Sequence, residues 1–109
     1  MKPDNRWEII EAMTQRIAER FSPLQIVLFG SFARGVPKPD SDADLMVVMT
    51  PKGSKREQTR AIYREISAMG LPKDIVVVTP REIEEYKNIR GTLIHDALQE
   101  GKILYDRAA

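Results

Sequence analysis

Cysteine and net charge are the two things this sequence most clearly lacks. None of its 109 residues is cysteine, and 17 basic side chains nearly balance 16 acidic ones, which leaves a formal net charge of +1. The absence of cysteine excludes disulfides and thiolate metal ligands, and it is typical of the cytoplasm, where we expect the protein to act. The small net charge disfavours nucleic acid as a direct partner, because bulk electrostatic attraction to phosphate is missing.

Long apolar runs are missing as well. No stretch approaches the ~20 apolar residues that a membrane-spanning helix needs, and the N-terminal residues are polar, so we expect neither membrane insertion nor secretion. With 109 residues and 42% apolar content, the sequence predicts a single globular domain over residues 1–109.

What the sequence does contain is a small-residue turn after an apolar segment. Gly30 and Ser31 follow the run from Gln25 to Phe29, which we interpret as a first strand. Glycine lets the backbone approach a ligand without a Cβ, so backbone N–H groups and the serine hydroxyl can hold phosphate oxygens. A helix beginning at this turn would add its positive N-terminal end.

Two carboxylates follow a short loop after this turn. Asp42 and Asp44 are two residues apart and would open a second strand, Leu45 to Met49, with both side chains on one face. Mg²⁺ binds one or two carboxylates and completes its shell with waters and substrate phosphates. Taken alone, an Asp-x-Asp pair also suits a solvated turn; beside the Gly-Ser turn it predicts a metal site next to a phosphate site.

A third acid, Asp74, stands directly before the run Ile75 to Val78. Three carboxylates so placed could hold two metals ~4 Å apart, the spacing used for in-line phosphoryl or nucleotidyl transfer. For the glycine turn and the acids to meet, the first strand must be antiparallel to the second, and the second parallel to the third. The segment from Ser54 to Met69 is long enough to be the helix that a parallel crossover requires.

The remaining elements follow from periodicity and caps. Apolar residues at helical spacing predict a helix from about Asn5 to Phe21. Thr79, Pro80 and Glu82 form a capping-box pattern that opens two short helices, broken near Gly91, before a short strand or extended tail at Lys102 to Tyr105. The predicted fold class is α/β (α+β), a small mixed sheet with helices mainly on one face.

Two features leave alternatives open. Arg56, Arg60 and Arg64 stand four residues apart on the crossover helix, either as its solvated face or as a surface for an acidic partner or RNA. Trp7 falls off the apolar stripe of the first helix, so it either packs at the edge of that helix or is exposed for a partner.

Taken together, the motifs resemble the signature of the minimal nucleotidyltransferases, small members of the DNA polymerase beta superfamily. The residues that carry the resemblance are Gly30 to Gly35, Ser41 to Leu45, Asp74 to Pro80 and the closing Ala97 to Tyr105. The resemblance covers nearly the whole chain and implies a fold like the polymerase beta palm.

The resemblance implies transfer of AMP from ATP to a hydroxyl, with two Mg²⁺ ions and with pyrophosphate as the leaving group. In such proteins the residues that match Gly30 and Ser31 contact the outgoing phosphates. The acids that match Asp42 and Asp44 bind the metals. The acid that matches Asp74 completes the catalytic metal site and helps to deprotonate the attacking hydroxyl.

Two further motif positions, Arg34 and Ser41, belong to the nucleotide-binding set that the resemblance implies. Each either touches phosphate or braces the turn, and the sequence leaves both roles open.

The resemblance also implies a partner. Many minimal nucleotidyltransferases are antitoxins that silence a HEPN-type ribonuclease toxin by adenylylating one of its tyrosines. Since the nucleotide site uses most of the domain, we expect the acceptor to be a separate macromolecule, and homo-oligomers are also expected. Three alternatives remain: an inactive antitoxin that acts by contact, a nucleotide-binding module, and a transferase for a small molecule or an RNA end.

Overall fold

The computed structural model describes residues 4–109 of the chain, so residues 1–3 of the predicted domain lie outside it. Helices and strands occur in the order α1 (Arg6–Phe21), β1 (Gln25–Phe29), β2 (Ala43–Val48), α2 (Lys55–Ile66), β3 (Lys73–Val78), α3 (Pro80–Tyr86), α4 (Leu93–Glu100) and β4 (Lys102–Asp106). No helix in residues 4–109 has the length and apolar content needed to cross a membrane.

The four strands form one mixed sheet in the order β3-β2-β1-β4. β1 is antiparallel to β2 and to β4, whereas β2 and β3 are parallel. α2 and a 3₁₀ turn at Ser67–Met69 form the crossover between the parallel strands. The topology deduced from the glycine turn and the acids is therefore confirmed, although the crossover helix is shorter than the predicted segment.

Strand alternation gives the sheet two apolar faces. The face under α1 and α2 holds the larger core, in which the deeply buried side chains are Ile10, Met13, Ile17, Ile26, Leu28, Leu45, Val47, Ile62, Ile66, Ile75 and Val77. Each such side chain contributes ~1.5–3 kcal/mol of transfer free energy. The opposite face is covered by α4, where Ile94 and Ala97 pack on Val27, Met46 and Val48. The two longer helices thus share one face, and the predicted fold class is confirmed.

Capping side chains determine where two of the helices begin. Ser54 accepts a hydrogen bond from the Glu57 N–H at 3.0 Å, and Thr79 accepts one from the Glu82 N–H at 3.1 Å. Both serine/threonine–glutamate pairs form complete capping boxes, which satisfy backbone donors that the helix leaves unpaired. The capping box predicted at Thr79 is confirmed, and so is the break between α3 and α4, where Gly91 has a φ of +85°.

Trp7 packs at the edge of α1. Its ring meets the ring of buried Phe32 edge-on, with 5.5 Å between centroids. The ammonium of Lys102 lies 5.7 Å from the centroid of the Trp7 ring. The packing interpretation of this tryptophan is therefore confirmed, and α1 is tied to the turn that follows β1.

Candidate active site

The glycine turn begins directly after β1, at Gly30. Its φ of +77° lies in the left-handed region, which a residue with a Cβ rarely adopts. A Cβ on Gly30 would also collide with the carboxylate of Asp44. The backbone of the turn and the Asp44 carboxylate therefore lie close together, and a residue with a Cβ would be strained in this conformation and would displace the carboxylate.

The turn does not open a helix. The Arg34 N–H donates to the Gly30 carbonyl at 3.1 Å and the Val36 N–H donates to the Ser31 carbonyl at 3.1 Å, but the chain continues as turns. A helix N-terminus behind the phosphate site, which the sequence left open, is therefore absent from this segment. The closed turn holds Ser31 half-buried beside the acids.

Asp44 and Asp74 stand directly opposite each other in the parallel pair of β2 and β3. Because neighbouring strands lie ~4.8 Å apart and paired residues share a face, both carboxylates project from the same side at the same end of the sheet. β2 begins at Ala43 rather than at Leu45, so Asp44 lies within the strand and Asp42 precedes it. The predicted boundary is wrong by two residues, because β2 pairs with β3 over its whole length, beginning at Ala43 opposite Lys73.

The electrostatics show how closely the three acids interact. Burial raises the pKa of Asp44 above its ordinary value, and the negative charges of Asp74 and then Asp42 raise that pKa further. The guanidinium of Arg34 acts in the opposite direction, although more weakly. The charged form of Asp44 is thus disfavoured by burial and by its acidic neighbours, and a bound cation would stabilise it. This is the usual electrostatic character of a metal site.

A tyrosine that the sequence analysis missed adjoins Asp74. The Tyr63 hydroxyl, on α2, accepts the Ile75 N–H at 2.8 Å and lies 3.4 Å from Asp74 Oδ1. This contact fixes the start of β3 relative to the crossover helix. No local motif marks Tyr63, because its role depends on how α2 packs against β3.

Ser41 braces the loop between the turn and the acids. Its Oγ accepts the Lys38 N–H at 2.8 Å and lies 3.0 Å from Ser31 Oγ. Arg6 of α1 also holds this loop, donating to the Lys38 carbonyl at 2.7 Å. The structure thus shows Ser41 bracing the loop, and its contact with phosphate stays a prediction.

Arg34 lies on the outside of the turn. Its Nη1 is 3.2 Å from Glu100 Oε1 at the end of α4, and half of its side chain is exposed. Its positive charge also acts to lower the pKa of Asp44. Glu100 lies within the closing stretch that carries the resemblance, but its pairing with Arg34 was not predicted, and it connects the turn to the opposite layer of the fold.

The donor set suits a hard divalent cation that shares its ligands with a substrate. Within residues 4–109, no three acidic or histidine side chains converge into a group that would hold a metal ion unaided. Two carboxylates in register, Asp44 and Asp74, with Asp42 close enough to act on Asp44, match the one or two protein carboxylates that Mg²⁺ commonly uses. The residues therefore fit Mg²⁺ if a polyphosphate supplies the remaining oxygens.

Comparison with known proteins agrees with this geometry. The sequence pattern of the polymerase beta nucleotidyltransferase family matches residues 11–109. A protein of Methanocaldococcus jannaschii, named as a candidate protein adenylyltransferase, is 31% identical over 106 residues, covering 91% of this chain and 71% of the relative. The chain belongs to the polymerase beta nucleotidyltransferase family.

Solved structures show the same fold. A candidate nucleotidyltransferase from Sulfolobus solfataricus superposes with a TM-score of 0.56 at 21% identity, covering 98% of this chain and 92% of the other. A toxin-antitoxin crystallised with AMP-PNP gives a TM-score of 0.57 at 19% identity over 88% and 73%. A mutant of the toxin-antitoxin MntA-HpeT with two aspartates replaced by glutamate gives 0.54 at 20% identity over 94% and 74%.

Proposed function

We propose that this protein transfers AMP from ATP to a hydroxyl group of a partner protein. The observation that carries the proposal is the close approach of the Gly30 backbone to the Asp44 carboxylate, together with the opposite placement of Asp44 and Asp74. A turn whose backbone is open to a ligand thus lies against paired carboxylates, which supports binding of a nucleoside triphosphate with its metal. Membership of the nucleotidyltransferase family supports the same chemistry.

In this proposal each residue acts by position and charge. Gly30 and Ser31 hold the β- and γ-phosphates through backbone N–H groups and the hydroxyl, and Arg34 adds positive charge on the outer side of the turn. Ser41 keeps Ser31 oriented through its 3.0 Å contact. Asp42 and Asp44 would bind Mg²⁺, and Asp74 would complete the site. When bound, two Mg²⁺ ions neutralise charge on the triphosphate and stabilise both the attacking and the leaving oxygen.

The reaction forms one bond and breaks one. The acceptor hydroxyl oxygen bonds to the α-phosphorus, the bond from that phosphorus to the bridging oxygen of the β-phosphate breaks, and pyrophosphate leaves with the bonding electrons. Asp74 takes the hydroxyl proton, and Tyr63 keeps this carboxylate in place by its contact at 3.4 Å. Catalysis of this kind depends on alignment and charge stabilisation rather than on a covalent intermediate.

The acceptor we propose is a tyrosine of a HEPN-type toxin, so that the protein acts as an antitoxin. Two structural relatives are toxin-antitoxin assemblies, one of them crystallised with AMP-PNP, and a sequence relative is named as a candidate protein adenylyltransferase. These likenesses support a partner protein as the acceptor, and the resemblance of the motifs to antitoxins supports the tyrosine.

The test is label transfer. The purified protein is incubated with Mg²⁺, lysate of the source cells and ATP labelled on the α-phosphate. We expect one labelled protein band, with a mass increase of one AMP located on a tyrosine by mass spectrometry. ATP labelled on the γ-phosphate should leave the band unlabelled, because that phosphate departs with pyrophosphate.

Two variants test whether label transfer depends on the proposed metal site. Asp44→Asn keeps the shape of the side chain and removes its charge, so transfer should fall by several orders of magnitude. Asp40→Asn removes an equal charge from the exposed loop and should leave transfer unchanged. Full activity in Asp44→Asn, or label that follows the γ-phosphate, would contradict the proposal.

A further inference from the structure

Three arginines on α2 form a row that has no place in the chemistry described above. Arg56, Arg60 and Arg64 are all exposed, and within residues 4–109 none of them forms an ion pair with a carboxylate. We call them the arginine row. Most other arginines do have carboxylate partners in the same part of the chain; these are Arg6, Arg16, Arg20, Arg34 and Arg81.

The arginine row is locally unfavourable for the helix that carries it. Residues four apart on a helix are neighbours, so Arg56 repels Arg60 and Arg60 repels Arg64. The neighbouring Glu65 pairs instead with Arg16 and Arg20 of α1. Arg64, in the last turn, is favourable to the helix dipole, but Arg56 and Arg60 have no ion-pair partner among the described residues, a pattern typical of a surface used for binding.

The row runs along α2 toward the end of the helix that contacts the proposed catalytic acid, and Arg56, at its start, lies ~10 Å along the helix axis from Tyr63. Arg60 and Arg56 precede Tyr63 by three and seven residues, which places them on the same flank of α2 as this tyrosine. The Tyr63 hydroxyl in turn contacts Asp74. β3, which carries Asp74, is an edge strand of the sheet, so no further strand from residues 4–109 lies beyond this flank.

We propose that the arginine row binds an acidic segment of the partner protein and thereby brings the acceptor hydroxyl to Asp74. This inference rests on the proposed function, since it names the chemistry of the acceptor. Guanidinium groups pair with carboxylates through two parallel hydrogen bonds. The row spans ~12 Å of helix, which an extended segment of about four residues covers.

The charges of the site favour an acidic protein segment over RNA. The row leads toward the end of the sheet where Asp44 stands opposite Asp74 and Asp42 precedes β2, so negative charge meets it there. Without a bound metal, a nucleic acid that continued its phosphates from the row to these carboxylates would be repelled. A peptide can place acidic side chains on the row and a neutral tyrosine at the carboxylates.

The experiment uses short synthetic peptides as probes. One carries a central tyrosine flanked by glutamates, a second carries the same tyrosine flanked by lysines, and a single-stranded RNA of equal negative charge serves as the third probe. Binding to the full chain is measured by fluorescence anisotropy without ATP, and AMP transfer is measured separately with α-labelled ATP. We expect the acidic peptide to bind ~10-fold more tightly than the basic one, with an affinity that falls as salt increases.

Charge-reversal variants test whether the acidic peptide binds at the arginine row. Arg56→Glu/Arg60→Glu should abolish the preference for the acidic peptide. Arg90→Glu/Arg107→Glu changes the net charge equally at exposed residues outside α2, and it should keep the preference. Circular dichroism establishes that both double variants are folded.

The outcomes separate this inference from the proposed function. Binding of the acidic peptide that depends on the row, with no AMP transfer to any peptide, would support the docking surface and count against transfer to such acceptors. Transfer to both peptides alike, with equal binding, would overturn the docking surface and leave the proposed transferase standing. Tighter binding of the RNA than of the acidic peptide would also overturn it.

Discussion

Replacing Asp44 by asparagine should make the metal-free protein more stable while it destroys activity. Asp44 is a half-buried carboxylate whose pKa is raised by burial and then by the charges of Asp74 and Asp42. Asparagine keeps the size and hydrogen-bonding capacity of the side chain but carries no charge. The variant therefore removes a repulsion that the fold tolerates in the absence of a cation.

The size of the effect follows from Coulomb's law. Two like charges ~6 Å apart repel by ~0.7 kcal/mol at the dielectric constant of water, and by more in a partly buried site. Because Asp44 keeps some contact with solvent and Arg34 offsets part of the repulsion, we discount for screening and expect a net gain of ~0.5–1 kcal/mol. For a domain of about 100 residues this raises Tm by ~2–8 °C.

The sign of the pH dependence is fixed by the raised pKa of Asp44. Below the ordinary value of 3.8, the carboxyl group is protonated in both the folded and the unfolded state, so its charge costs nothing. As pH rises above 3.8 the unfolded state ionises first, and the penalty grows until the folded group ionises as well. The Tm difference between variant and wild type should therefore reach its maximum at neutral pH and disappear below pH 3.8.

The assay is thermal unfolding followed by circular dichroism in the presence of EDTA, across this pH range. Asp40→Asn, on the exposed loop, is the control and should not shift Tm. Addition of Mg²⁺ and ATP should stabilise wild type by mass action and leave Asp44→Asn unchanged. A neutral-pH Tm for the variant at or below that of wild type, or a gain that persists in acid, would refute the electrostatic account of this site.

Two further substitutions test the contacts around the acids. A non-glycine residue in the left-handed conformation costs ~1–2 kcal/mol, and Gly30→Ala should destabilise the protein by more than this because its Cβ also meets the Asp44 carboxylate. Gly35→Ala is the control, since Gly35 has a similar φ of +76° but no atom near its Cβ position. Equal losses of stability for the two variants in urea unfolding would contradict a role for the Asp44 contact. Tyr63→Phe should lower kcat for AMP transfer about tenfold with little change in KM for ATP, because Asp74 loses its contact with the Tyr63 hydroxyl. A change confined to KM would count against a positioning role for Tyr63.

The fold was predictable because its signals are local or follow from chain geometry. Short continuous apolar runs define the strands, and the Thr79–Glu82 capping box marks the start of α3. The relative directions of three strands followed from requiring the glycine turn and the acids to meet at one end of the sheet, and the strand pairing confirms them. The boundary of β2 was wrong because pairing with β3, rather than local propensity, decides where that strand begins.

The assignment of metal and phosphate roles to particular residues stays a prediction, but the structure now shows which side chains these residues contact. The motifs indicated which side chains to consider, including Ser41 and Arg34, without showing what each contacts. The structure shows Ser41 bracing Ser31 and the loop, and Arg34 paired with Glu100 of α4. Glu100 is distant in sequence from the turn, and nothing in its local sequence indicates this pairing.

By itself, the sequence determined the strands, the capped helices, the glycine turn and the three acids, because each depends on residues close together in the chain. Only the tertiary structure decided that Asp44 faces Asp74 in register, that Gly30 lies against Asp44, and that Tyr63 reaches the start of β3. Register and helix packing are set by the combined fit of both sheet faces, a property of the assembled core that no single segment contains.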